Sequence, residues 1–333
     1  MICKKYELWE KDEYSYARAE GFLPNIMNYT HEDEEIRPCM IVVPGGAYFF
    51  LAPSEGEIVA RKFYEFGYNT FVLSYTVNPL CDAPLHEQPS RDLSRAIRYI
   101  RANGAALKVN PKKLVICGFS AGGHLCGTIC VHHADISEEN PRYKGFSNKP
   151  DAAILSYPVI SSGEYAHRGS FDALIGPDGS NEEKEYYSLE KHVSKDAPPC
   201  FIWQTAADET VPVENSYLFA RALKDEGVPF SHHVFPEGQH GLSTADADFA
   251  NSNFGEPYVM DQYFRVVAGV KAKKIPIKKE IEEMMDFFKS QYAPKNEGVP
   301  KNKGNEGVPE NEGNEYAAMW TELARMWLKQ LSI

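Results

Sequence analysis

Apolar residues along this chain follow two alternating periods. Runs of consecutive apolar residues such as "CMIVV" (39–43), "TFVLSY" (70–75), "KLVICGFS" (113–120), "DAAILSYPVI" (151–160), "PCFIWQTAAD" (199–208) and "SHHVFPEG" (231–238) have strand length. Between them, apolar positions recur every three or four residues, in 54–67, 89–110, 121–134 and 213–227. The first period predicts strands and the second helices. Strands that are apolar throughout, instead of every second residue, predict a sheet buried on both faces. Regular alternation with helices predicts parallel strands in a three-layer α/β sandwich. Ser54, with Glu57 three residues on, predicts a capping box for the first helix, which Gly67 ends. Residues 1–37 are polar and aromatic, and peripheral strands and turns are expected there. No repeat of about 20–50 residues is visible, so a solenoid is not expected.

The pattern weakens after His240. The segment 271–294 is lysine-rich, then helical, and 295–315 contains "NEGVP" twice, at 296–300 and 305–309. The stretch 295–313 offers little to anchor a core and reads as an exposed connector. The final stretch, 315–331, predicts an amphipathic helix packed on the sheet, with Met319, Leu323, Met326 and Leu331 sharing a side and Trp320 and Trp327 flanking it. The whole chain, 1–333, is expected to form one domain.

Composition narrows the partners. A net charge of −12 gives nothing to attract a phosphate backbone or anionic lipid, so neither nucleic acid nor membrane is an expected partner. No run approaches the length of a membrane span, and no secretory signal is visible at the N-terminus. The seven cysteines are odd in number and several lie in apolar runs, which reads as free, buried thiols in a reducing compartment. A cytoplasmic location is expected. Cys126 and Cys130 are four apart, yet their apolar helical setting argues against metal binding.

The chemistry is concentrated in "VICGFSAGGHLCG", residues 115–127. It holds G-x-S-x-G, as Gly118-Phe119-Ser120-Ala121-Gly122, directly after a predicted strand and before a predicted helix. Strand, sharp turn and helix is the setting that lifts a serine hydroxyl above a sheet edge. A serine is a weak nucleophile and needs a base. Among ten histidines, His240 in "FPEGQHGLS" combines a loop setting, adjacent glycines and a place after the last predicted strand. His124 lies one helical turn past Ser120 and reads as structural. Asp208 follows an apolar strand directly and is the candidate to orient the histidine. The strand-end glycines of "VVPGGAYFF" place backbone N–H groups of Gly46 and Ala47 where they can join that of Ala121 in an oxyanion hole. No G-x-G-x-x-G or P-loop lysine accompanies them, so a nucleotide site is not expected.

Together, "VVPGGAYFF", "GFSAGGH", "TAADETVPVENS" and "GQHGLS" resemble the alpha/beta-hydrolase superfamily. More narrowly, they resemble small carboxylesterases related to acetylxylan esterases and the hormone-sensitive-lipase-like group. The resemblance covers roughly residues 35–250 and the final helix. It implies a mostly parallel alpha/beta-hydrolase sandwich, a Ser120–His240–Asp208 acyl-enzyme mechanism, and no metal or organic cofactor. It also implies a small ester substrate, with a short acyl group such as acetyl, borne on a sugar or xylo-oligosaccharide. Pro44 stands where the family often has histidine. Aromatic residues near the motifs, Tyr48, Phe49, Phe119 and Tyr157, together with Val211, are candidates for the substrate pocket. Some 70 residues separate the histidine loop from the closing helix, which suggests an insertion over 250–313, as a lid, an oligomer contact or a passive excursion. An amidase, a formamidase, a serine peptidase or an inactive binding protein of the same fold would share these motifs, and a homo-oligomer is compatible with them.

Overall fold

A computed structural model describes residues 1–275, 277, 279, 281, 283 and 313–333. Eight strands among them form one sheet in the order β1-β2-β4-β3-β5-β6-β7-β8. They are β1 (Ile2–Glu7), β2 (Asn25–Thr30), β3 (Arg37–Val43), β4 (Asn69–Ser74), β5 (Val109–Phe119), β6 (Ala152–Ser156), β7 (Cys200–Thr205) and β8 (Phe230–Phe235). The β1–β2 and β2–β4 pairings are antiparallel and all others are parallel. This is the mostly parallel sheet that the continuous apolar runs predict. Every residue of β4, β6 and β7 is buried, as strands covered on both faces require.

The helices are α1 (Glu57–Glu65), α2 (Gln88–Ala102), α3 (Ala121–His132), α4 (Arg168–Ile175), α5 (Asn181–Tyr186), α6 (Glu214–Asp225), α7 (Ala247–Ala250), α8 (Asp261–Lys271), α9 (Glu315–Ala318) and α10 (Trp320–Gln330). The architecture is an alpha/beta-hydrolase sandwich. Among the described residues, no helix is long and apolar enough to cross a membrane.

Two expectations change. The capping box at Ser54 and Glu57 does not form. A 3-10 turn over Pro53–Glu55 precedes α1, whose N-cap is Gly56, and the Glu57 carboxylate instead accepts from the Tyr29 hydroxyl at 3.1 Å. The box that does form is Ser180 with Glu183, at the start of α5. Serine followed three residues later by glutamate was there to be read, but no apolar run follows it to draw attention.

The closing helix also turns differently. Met319 and Met326 are 50% and 55% exposed, whereas Trp320, Ala324 and Leu328 face inward at a spacing of four. Trp320 stacks on Trp203 with centroids 5.1 Å apart and meets Phe63 of α1 and Phe119 of β5. Its indole N–H donates to the Ser243 carbonyl at 2.9 Å. Tryptophan buries more apolar area than methionine, so the face with Trp320 goes in. Trp320→Ala is expected to lower unfolding free energy by about 3–5 kcal/mol, read by urea titration. A loss below ~1 kcal/mol would contradict this packing.

The described part of the 250–313 segment is packed against the rest of the fold. Gln262 of α8 accepts from Val77 N–H at 2.9 Å and donates to the Val77 carbonyl at 2.8 Å, just past β4. Tyr263 meets Phe50 edge-on, with centroids 6.3 Å apart, beside the Gly45–Gly46 loop. Of the expected connector, 295–313, residues 295–312 lie outside the described residues.

Candidate active site

Parallel strands gather their following loops at one sheet edge, and the candidate residues lie on those loops. Gly45–Ala47 follow β3, Ser120 follows β5, Asp208 follows β7 and His240 follows β8. At Ser120 the chain turns from strand to helix with φ 52° and ψ −118°. A non-glycine residue there is strained, and such strain is typically held in place by its surroundings. The bracing is visible. Ser120 N–H donates to the Ser156 carbonyl at 3.0 Å, and its own carbonyl accepts from His124 N–H at 3.0 Å. Glycine is required at 118 and 122. A β-carbon on Gly118 would lie 2.2 Å from the Gly122 carbonyl oxygen, and one on Gly122 would lie 2.1 Å from that of Val43.

Ser120 Oγ lies 2.8 Å from His240 Nε2, and His240 Nδ1 lies 2.7 Å from Asp208 Oδ2. The Asp208 carboxylate is itself fixed. Its Oδ1 accepts from Thr210 N–H at 3.0 Å and Val211 N–H at 2.9 Å, and its Oδ2 from Gln204 Nε2 at 3.3 Å. Asp208 is acceptor-only, so the ring proton sits on Nδ1 of His240 and leaves Nε2 free to accept from the serine hydroxyl. Ser120 is 7% exposed, so its hydroxyl stands in a largely dry setting where charges interact strongly.

Across from Ser120, the β3 loop approaches closely. A β-carbon on Gly45 would sit 2.9 Å from Ser120 Cβ. Gly46, Ala47 and Tyr48 have φ of 118°, 53° and 63° in succession, a run of left-handed residues that turns peptide N–H groups inward. Among the described residues, the N–H groups of Gly46, Ala47 and Ala121 have no protein acceptor. Ala121 also begins α3, whose N-terminus favours negative charge.

The pocket assignment needs correcting at four of its five residues. Tyr48, Phe119, Tyr157 and Val211 are each at most 2% exposed and belong to the core. The Tyr48 hydroxyl pairs with His124 Nδ1 at 2.9 Å, and His124 Nε2 with the Tyr187 carbonyl at 3.0 Å. A carbonyl only accepts, so Nε2 carries the proton and Tyr48 donates. Burial holds the His124 pKa down to about 4, so this histidine is neutral and structural. Phe119 packs between Tyr157 and Trp320. Val211 serves Asp208 through its backbone. Of the five, only Phe49 is half-buried.

Two residues near the site were missed in the sequence. His167 caps α4, its ring accepting from Ser170 N–H at 3.3 Å. Burial, and next the nearby His240 charge, hold its pKa below the ordinary histidine range. A β-carbon on Gly169 would be 3.6 Å from both His167 Cε1 and Phe49 Cε2, so the two rings flank one spot. The other is Glu55, 4% exposed, in the 3-10 turn before α1. Glu55 carries no spacing signal, because its partners come from other loops, and histidine is not among the usual N-cap residues, so His167 carries none either.

Residues 26–223 match the BD-FAE family, well over half of the chain. The chain belongs to the BD-FAE family. It is thereby a member of the alpha/beta-hydrolase superfamily, as its sheet order and strand–serine–helix turn also indicate. Among its relatives, endo-1,4-beta-xylanase B of Butyrivibrio fibrisolvens is 49% identical over 258 residues, 78% of this chain and 41% of that protein. Acetylxylan esterase of Xylanibacter ruminicola is 31% identical over 209 residues, 61% of this chain and 40% of that protein. The chain therefore spans about two-fifths of the length of these curated relatives. The crystal structure of an acetyl ester-xyloside bifunctional hydrolase from Caldicellulosiruptor lactoaceticus superimposes with a TM-score of 0.69 at 36% identity, covering 80% of this chain and 96% of that one.

Proposed function

We propose that this BD-FAE-family chain is a serine carboxylesterase that removes short acyl groups, with acetyl esters of xylo-oligosaccharides as the favoured substrates. The observation that carries the reading is the hydrogen-bonded run from Ser120 through His240 to Asp208. Support for the substrate comes from its relatives: one is named an acetylxylan esterase, one an acetyl ester-xyloside bifunctional hydrolase and one an endo-1,4-beta-xylanase.

The cycle has two acyl transfers. The Ser120 hydroxyl attacks the ester carbonyl as its proton passes to His240 Nε2. The carbonyl π pair moves onto oxygen, and the N–H groups of Gly46, Ala47 and Ala121 receive that oxyanion. Collapse expels the sugar alcohol, which takes the proton from His240. Water, deprotonated by the same histidine, then releases the acid and restores the serine. Asp208 holds the imidazole in its Nδ1–H tautomer and offsets its positive charge. Apart from the ester and water, the groups this cycle uses are side chains and backbone N–H groups of the chain.

An ester panel from acetyl to octanoyl, with acetylated xylo-oligosaccharides and an N-formyl amide included, tests the assignment. The expected result is a kcat/KM that peaks at acetyl and is higher for the acetylated oligosaccharide than for a simple alkyl acetate. Each methylene is worth about 1–3 kcal/mol in a fitted pocket, so octanoyl should trail acetyl by well over tenfold. Preference for octanoyl would overturn the short-acyl assignment, and turnover of the amide alone would replace the esterase with an amidase.

A further inference from the structure

Glu55 is a carboxylate buried beneath the site, and the reaction above does not use it. Gly45 N–H donates to its Oε2 at 2.7 Å, and the Tyr157 hydroxyl donates to its Oε1 at 2.8 Å. Tyr157 in turn accepts from Ser243 N–H at 2.9 Å. A buried carboxylate is costly unless its oxygens are met by donors, and here both are. The two arms lead to different parts of the site. Gly45 precedes the run of left-handed residues that carries the Gly46 and Ala47 N–H groups. Ser243 lies three residues beyond His240, and the Tyr157 ring meets the His240 ring edge-on with centroids 4.9 Å apart. Ser243 is also held from behind, its hydroxyl donating to the Ser54 carbonyl and its carbonyl accepting from Trp320.

We propose that Glu55 is a positioning residue that ties the oxyanion loop to the histidine loop through Tyr157, so that the donors for the oxyanion and the base for Ser120 are set in one register. An amide cannot replace it in full. With a glutamine at 55, one end can still accept from Gly45 N–H. The other end then presents N–H to a tyrosine oxygen that Ser243 already occupies, and the hydroxyl proton loses its acceptor. The Tyr157 arm breaks while the packing volume stays.

The proposal rests on the assignment of Ser120, His240 and Asp208 above, and the experiment separates the two. Wild-type protein, Glu55→Gln, Tyr157→Phe and the double variant are compared by fluorophosphonate labelling and by steady-state hydrolysis of 4-nitrophenyl acetate. Absence of a Ser120 adduct in folded wild-type protein would refute the catalytic assignment itself. With wild type labelled, Glu55→Gln and Tyr157→Phe should each lower kcat and the labelling rate tenfold or more, with KM within threefold. Acylation and deacylation both pass through an oxyanion and both use His240, so they slow together and KM stays. The double variant should be no slower than Glu55→Gln alone, because both changes cut the same connection. A kcat within twofold of wild type in either single variant, or losses that multiply in the double, would overturn the proposal. Should Glu55→Gln fail to fold, Tyr157→Phe, which keeps the carboxylate and the Gly45 arm, decides it by the same two readouts.

Discussion

Ser120→Ala is expected to lower kcat on 4-nitrophenyl acetate by about 10⁴–10⁶-fold while leaving the melting temperature within a few degrees of wild type. No other hydroxyl stands 2.8 Å from His240 Nε2 among the described residues, so water would have to attack directly. The oxyanion donors remain, and they account for the residual rate. Ser120→Gly separates chemistry from strain. At φ 52° and ψ −118° a side chain costs about 1–3 kcal/mol, and glycine does not incur it. Glycine also loosens the unfolded chain by about 0.5–1 kcal/mol, so a net gain of roughly 1 kcal/mol in unfolding free energy is expected. Denaturant titration of the inactive variant checks this. Retention of a tenth of wild-type kcat by either variant would remove Ser120 as the nucleophile.

Asp208→Asn should lower kcat by about 10³–10⁴-fold with little change in stability. Every neighbour of the wild-type carboxylate is a donor: Thr210 N–H, Val211 N–H, Gln204 Nε2 and the His240 ring proton. One end of an asparagine must be a donor too. Facing it toward two backbone N–H groups is unfavourable, so the amide nitrogen turns to His240. The histidine then accepts at Nδ1 and carries its proton on Nε2, where it cannot receive one from Ser120. The readouts are kcat on the same ester and the unfolding midpoint. A loss smaller than tenfold would show that Asp208 does not set the tautomer.

How far the sequence reached depended on the range of the interactions involved. The sheet was legible because burial on both faces writes itself into consecutive residues, as in "CMIVV" and "CFIWQT". The Ser120 turn was legible because strand, glycine and helix are adjacent. Asp208 and His240 could be placed because each follows its own strand, at the edge where the loops collect. Facing was not legible. Tyr48 sits in a loop beside the serine and looks like a pocket wall, but its hydroxyl finds His124, 76 residues away, and turns inward. Met319 and Trp320 belong to the same helical pattern, and it is the stacking against Trp203, distant in the chain, that decides which enters. Glu55 drew no notice because its two polar contacts, Gly45 N–H and the Tyr157 hydroxyl, come from separate loops.

The contact between Trp320 and Ser243 has a consequence for the order in which the molecule is made. A chain under synthesis carries Ser120, Asp208 and His240 long before it carries residue 320, and until then the Ser243 carbonyl lacks its Trp320 donor and Trp203 its stacking partner. Such a nascent chain would have its reactive groups but an unsupported histidine loop. On the proposed function, hydrolytic competence should therefore arrive late and abruptly, with α10, and a ribosome-bound chain stalled before Trp320 emerges should be inert in the ester assay above.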